Sequence, residues 1–362
     1  LHGQRRAQRT TPSFEKSRKR SGSWSRRARN AGAVAAVSAL FLAGCSSGQG
    51  GGGDEAAAEC DISESFPNGP IEFIVPFSAG GGTDAVSRLV AQELGSALGT
   101  QINVINQTGG GGAVGHQAIA GAAPDGQTIG MATAELAMLH HQGLTDTTPA
   151  DVTAISQINA DPAGITVAAD APYESVQDLI DAAEADPGQL VGSGTAVAGI
   201  WHVALAGMLL EAGLDADAIR WVPSEGAAPA LQELVAGGID VSTASLAENA
   251  TMIESDRVKP LAVMDSERAP GYDDVPTLAE EGIDFEAATW RGIVAPAGMD
   301  EEIVQELQCH LEHITENEEF TTFMADSGLG IVYRDAEEFA AFMEEDDAAK
   351  GEIMQQAGLT GE

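Results

Sequence analysis

Apolar residues along the chain fall into short runs, each followed by a small-residue turn and then by a stretch with helical spacing. The clearest unit is 71–98. Ile71, Phe73, Ile74 and Val75 form an apolar run between Pro70 and Pro76, which suits a strand covered on both faces. Val86, Leu89, Val90, Leu94, Ala97 and Leu98 then mark one face of a helix that Gly99 ends, with Thr83 expected as N-cap and Asp84 in the first turn. Between strand and helix lie Gly80, Gly81 and Gly82. Such a turn presents backbone N–H groups beside the positive end of a helix dipole, a geometry that binds anions.

The same reading continues downstream. Strands are expected at Gln101 to Asn106 and Thr128 to Thr133, with a two-turn helix from His116 to Ala122 between them. Ala134 to Leu144 reads as a short helix bearing two surface histidines, His140 and His141; adjacent helical residues point about 100° apart and cannot share one ion. Ile155 to Val167 reads as a strand leaving a first domain, and Tyr173 to Ala185 as a helix. Leu190 to Ala196 repeats the opening device. A short strand runs into Ser193, Gly194 and Thr195, with a helix from Val197 to Ala212 carrying His202. Further strands are expected at Ile219 to Val222, around Val241 and at Pro260 to Met264, with helices at Pro229 to Ala236 and Ala247 to Ser255 between them. Glu286 to Pro296 is a second crossing strand, followed by amphipathic helices at Glu301 to Asn317 and Ala336 to Gln356. The βα alternation implies a largely parallel sheet.

Charge changes the picture at the N-terminus. The 362 residues carry a formal net charge of −37, yet ten of the 18 basic residues precede residue 45, leaving eight basic against 54 acidic residues beyond it. A nucleic-acid partner is excluded, because a duplex would be repelled. Arg26, Arg27 and Arg29, the apolar stretch Ala33 to Ala43 and Leu42-Ala43-Gly44-Cys45 read as an export signal over 1–45, too short for a stop-transfer helix. Leu1 and the basic stretch before Ser21 are expected to lie ahead of the true translation start. The last four residues of the signal resemble the bacterial lipobox, which would make Cys45 a lipid anchor to the membrane. Residues 46–59 are glycine-rich and acidic, a flexible tether with a reach of roughly 20 Å. Cys60 and Cys309 remain, either paired as a disulfide or as two free thiols.

Other motifs are weaker. Gly110, Gly112 and Gly115 satisfy G-x-G-x-x-G with Glu135 downstream, but the helix that follows is short and an exported chain meets no nicotinamide pool, so a flexible loop at the domain edge is expected. Cys309, His310 and His313 share one turn without a further ligand. No nucleophile can be tied to a base by spacing. No catalytic residue, cofactor or metal is assigned, and the expectation is a protein that is not an enzyme.

Five segments, in order, resemble the substrate-binding receptors of tripartite tricarboxylate transporters, the Bug receptors: Val75 through Asp84; Ala123-Pro124-Asp125-Gly126; Val222-Pro223 through Gly237-Gly238-Ile239-Asp240; Asp274 through Glu280; and Trp290-Arg291-Gly292 through Gly298. The resemblance covers about Pro70 to Leu359. It implies a type II periplasmic-binding fold of two α/β domains, 60–160 plus 291–362 and 161–290, each with a mostly parallel sheet flanked by helices and joined by two hinge crossings. It further implies a monomeric extracytoplasmic receptor that takes a small carboxylate to a membrane permease. Carried over, the ligand site would use Phe77, Ser78, Ala79, Gly81 and Thr83 with Ser193, Gly194 and Thr195, and Thr133 and Ser245 at strand ends. Where many relatives have glycine and serine before the helix histidine, this chain has Ala198 to Trp201, and Glu225 replaces a common lysine. Trp201 would then favour an apolar ligand tail, His202 would bond within its own domain, and Asp84 would turn away from the anion to support the helix start.

Overall fold

The computed structural model describes Cys60, Ser63, 66–224 and 226–361; Cys45, the tether and Glu225 lie outside the described residues. Ten strands form two five-stranded sheets. The first contains β1 (Ile71–Val75), β2 (Ile102–Asn106), β3 (Thr128–Thr133), β4 (Val152–Pro162) and β10 (Ala288–Pro296), in the order β2-β1-β3-β10-β4. The second contains β5 (Gly164–Ala168), β6 (Val191–Ser193), β7 (Arg220–Trp221), β8 (Val241–Ser242) and β9 (Val258–Val263), in the order β7-β6-β8-β5-β9.

Both sheets are mixed: mostly parallel, as expected, with one strand reversed in each. Three strands in each are parallel, whereas β10 runs antiparallel to β3 and β4, and β5 antiparallel to β8 and β9. The antiparallel strands are those that carry the chain between sheets. β4 passes into β5 through Ala163 alone, and the return lies between β9 and β10, where Ala163 donates to the Ala287 carbonyl at 2.8 Å. A strand that leaves one sheet and enters another is not bound by the right-handed βαβ rule that makes the other neighbours parallel.

Nine helices flank the sheets in the described residues: α1 (Gly82–Ala97), α2 (Ala113–Ala120), α3 (Val176–Ala185), α4 (Ile200–Glu211), α5 (Ala227–Ala236), α6 (Leu246–Glu254), α7 (Glu301–Glu316), α8 (Glu318–Asp326) and α9 (Ala336–Gln356). On α1, Val86, Val90 and Leu94 are buried against Phe73 and Ile129 and against Leu307 and Leu311 of α7. Burying side chains of this size contributes about 2 kcal/mol each. α4 is apolar nearly all round and correspondingly buried. α9 packs beneath the first sheet, with Phe339 edge-on to Trp290 at 5.5 Å, and reaches the second lobe, where Ile353 and Phe285 meet at Gly207 of α4. Any side chain at Gly207 would collide with the Phe285 ring, 2.3 Å from an added Cβ.

Local expectations fail in four places. α1 begins at Gly82 with Gly81 as N-cap, so Thr83 is a first-turn residue and not the cap. Residues 134–144 are a 3₁₀ turn, Ala134–Ala137, followed by turns, and His140 and His141 are half-buried against α9. α4 starts at Ile200 rather than Val197, because Ala198 takes a positive φ of 58° and breaks the helix there. Helix α8, capped by the Asn317 side chain accepting from Phe320 N–H at 2.7 Å, is additional. Cys60 and Cys309 are joined as a disulfide across 249 positions, fastening the segment before β1 to α7.

Candidate functional site

After β1 the chain turns through Pro76 to Gly81. Gly80 adopts a positive φ of 88°, which a glycine accepts freely, and Ser78 to Gly82 face solvent. Asp84 holds this loop from beneath. Only 3% exposed, it accepts from Gly80 N–H at 2.8 Å, Arg88 Nε at 2.9 Å and Asn106 Nδ2 at 2.8 Å. The Arg88 hydrogen bond, helped by the others, lowers its pKa from an ordinary 3.8 to about 2 against the opposing effect of burial. Asp84 is therefore charged, turned inward, and consumes one loop N–H. The N–H groups of Ser78, Ala79, Gly81, Gly82 and Thr83 have no acceptor among the described residues. They form an open run at a helix N-terminus.

The glycine-rich segment that mimics a dinucleotide motif packs beneath this loop, not at the domain edge. An added Cβ on Gly115 would lie 2.4 Å from Pro76 Cα, and one on Gly112 would lie 3.4 Å from the Phe77 ring. The glycine spacing thus serves close packing of α2 against β1. Phe77 is half-buried by that contact.

Arg291, to which the sequence reading gave no role, completes this part of the site. Its Nε donates to Thr83 Oγ1 at 3.0 Å and its Nη1 to Asn159 Oδ1 and to Asp161 Oδ2, the latter at 3.0 Å. Thr83, already an acceptor, keeps its own hydroxyl proton to donate. Arg291 Nη2 has no acceptor among the described residues and lies 3.8 Å from where a Gly82 Cβ would stand. A guanidinium carries five N–H donors, so two remain aimed at the glycine loop. The signal was present in the sequence: one of only eight basic residues after Cys45 sits inside an apolar strand.

In the second lobe, Ser193 and Gly194 are buried and Thr195 half-buried at the end of β6. The Thr195 carbonyl accepts from Ser224 N–H at 2.9 Å and Trp221 Nε1 at 3.3 Å, leaving its hydroxyl with only a long 3.5 Å contact to Ala196 O. His202 Nδ1 accepts from Ala198 N–H at 3.0 Å, and its ring stacks on Trp221 at 4.7 Å. Burial lowers its pKa to about 4, so the ring is neutral at pH 7 and serves its own loop. Trp201 is turned inward. It is 3% exposed, packed under Gly194, and its carbonyl accepts from Thr243 Oγ1.

The remaining expected residues have other partners. Thr133, opposite Arg291 in the sheet, donates its hydroxyl to Glu135 at 2.6 Å and its N–H to neutral, buried His116. Ser245 caps α6 through Glu248 N–H. The Glu248 side chain is exposed at its edge, yet the protein packed around its carboxyl desolvates it and raises its pKa; nearby Arg291 lowers it and Asp161 raises it. Ser245 and Asp161 border a largely apolar cavity of about 450 Å³ between α6 and α8, with Leu246, Tyr272 and Leu329. None of the other expected ligand residues lines that cavity, and no hydrogen bond joins the Ser78–Thr83 loop to the Ser193–Thr195 loop among the described residues. The structure therefore groups Thr83 with Arg291, while Ser193, Gly194 and Thr195 stand apart from them at the end of β6.

Comparison with known proteins agrees with this architecture. Residues 86–359 match the family model of the tripartite tricarboxylate transporter family receptor. The chain is 33% identical to a TctC solute-binding protein from Polaromonas solved without ligand, with a TM-score of 0.73, covering 80% of this chain and 99% of that one. It is 26% identical to MatC from Rhodopseudomonas palustris with bound malate (TM-score 0.66; 80% and 99% covered). It is 25% identical to an R. palustris protein with adipate (TM-score 0.68; 82% and 100% covered). With the family model matching residues 86–359, well over half of the 362 residues, the chain belongs to the tripartite tricarboxylate transporter receptor family.

Proposed function

We propose that the protein is an extracytoplasmic receptor that closes its lobes over a small carboxylate and passes it to a separate membrane permease. The observation that carries this reading is the open run of N–H groups at the start of α1 with Arg291 Nη2 beside it. One ligand carboxylate sits on Ser78, Ala79, Gly81 and Thr83, directly or through bridging waters. Ser193, Gly194 and Thr195 meet the ligand from the other lobe, and Phe77, Thr133 and Ser245 shape the surrounding wall. Malate and adipate, bound by the two relatives above, are dicarboxylates of different length, which supports a shared anion end and a variable distal end. Closure is a hinge motion between 60–160 plus 291–362 and 161–290, driven by contacts the ligand makes to both lobes at once. Lipid on Cys45 and the 46–59 tether hold the receptor at the outer face of the membrane as a monomer.

The test uses thermal shift across a carboxylate library, then calorimetry on the strongest ligand, with Gly81→Leu. An added Cβ at Gly81 meets only the Ser78 carbonyl, at 3.7 Å, and φ is −84°, so the fold should tolerate the change. Affinity should fall by at least ~10-fold, the loss of one or two charge-assisted hydrogen bonds. Unchanged affinity, or a library that shifts nothing, would refute the reading.

A further inference from the structure

Away from the cleft, His140 and His141 converge on one carboxylate. Because the segment after β3 is a series of turns and not a helix, the two rings lie side by side, centroids 3.9 Å apart, instead of pointing apart. Nε2 of His140 is 3.0 Å from Asp347 Oδ1 on α9, and Nε2 of His141 is 2.9 Å from the same oxygen. The three ligand atoms lie within 4.8 Å of one another. Around a tetrahedral ion with bonds of about 2.0–2.1 Å, neighbouring ligand atoms stand roughly 3.3 Å apart. A few tenths of an ångström of opening would admit the ion.

The surroundings are shaped for this convergence. Gly351 lies one turn beyond Asp347 on α9, and an added Cβ there would be 2.5 Å from His141 Cε1 and 2.7 Å from Nε2. A glycine inside a helix is less stable than alanine there, and here it makes the space the imidazole needs to reach Asp347. The backbone of His141 is fixed as well: Gly361 N–H donates to its carbonyl at 2.9 Å. The neighbouring Asp346 is otherwise engaged, with Trp290 Nε1 at 2.7 Å and Lys350 at 2.5 Å, so Asp347 is the carboxylate turned to the histidines.

We infer that His140, His141 and Asp347 form a binding site for a divalent first-row transition metal, with two imidazole nitrogens and one carboxylate oxygen as protein ligands and water completing the shell. Imidazole donors favour zinc, nickel or copper over the hard ions that exposed carboxylates attract. The ion would clamp α9 to the segment after β3. That segment also touches the second lobe, since Gln142 Nε2 donates to the Ala198 carbonyl at 3.2 Å. The inference is independent of the carboxylate reading of the cleft.

Calorimetry with zinc chloride on chelator-stripped protein bearing no histidine tag, in excess magnesium to occupy surface carboxylates, should give one site per chain. His141→Ala and Asp347→Asn should each weaken it at least tenfold, and Gly351→Ala, which only displaces the ring, should weaken it too. Melting of each metal-free variant checks folding. Zinc K-edge absorption on the wild type must show imidazole scattering, which keeps the test valid should a variant fail to fold. Absence of a saturable single site, wild-type affinity in both ligand variants, or a spectrum without imidazole would overturn the inference and leave a His–Asp–His hydrogen-bonded trio.

Discussion

Asp84→Asn removes the charge that holds the glycine loop while keeping the side chain's shape. Its carboxyl falls from an ordinary 3.8 to about 2 in the fold. That depression corresponds to about 2.5 kcal/mol. Arg88, the principal partner, is half exposed, which reduces the expected loss to about 1.5–2 kcal/mol. The sign follows from the direction: a carboxyl whose folded-state value is depressed stabilises the fold above its unfolded value and loses that contribution as pH falls toward the folded one. The stability gap between wild type and Asp84→Asn, measured by urea unfolding, should be constant from about pH 7 to 5, roughly halved at about pH 3, small at about pH 2 and absent by about pH 1. A gap below about 0.5 kcal/mol at pH 7, or one equally large at pH 7 and pH 3, would refute the argument that Asp84 works as a charged anchor.

Two further outcomes follow from the geometry. Arg291→Lys keeps the charge beside Asp161 but cannot reach Thr83, Asn159 and the glycine loop together, so ligand affinity should drop at least ~10-fold with little change in melting temperature; unchanged affinity would place Arg291 outside the ligand's reach. Reducing Cys60–Cys309 opens a closure of 249 positions and should destabilise the fold by about 3–5 kcal/mol. Thermal melts with and without reductant test this, and identical curves would contradict it.

The parts of the fold visible in the sequence were those whose pattern is local. β1, its glycine turn and α1 announce themselves through proline boundaries and helical spacing, and the two crossing strands through their unusual apolar length. The one reversed strand in each sheet was not visible, because its direction depends on which sheet it enters and not on its own residues. Thr83 looked like a cap, yet its hydroxyl is engaged by an arginine 208 positions away. His140 and His141 were misjudged because the helical period assumed for them does not apply to turns. Trp201 stands where many relatives have a small residue, which suggested a bulky wall for the ligand, yet the indole is buried among apolar residues. In each case a long-range contact or one unusual backbone angle decided the outcome.

α9 also bears on the order in which the molecule can be assembled. It emerges last among the described elements, yet it supplies Phe339 against Trp290 in one lobe and Ile353 at the Gly207 seam of the other. Chains are made from the N-terminus, and segments fold as their partners appear. Neither lobe can finish its core until α9 arrives, and the bond between Cys60 and Cys309 likewise waits for a segment beyond β10. Completion of both cores and closure of the disulfide are therefore late events, coming only when almost all of the chain has been synthesised.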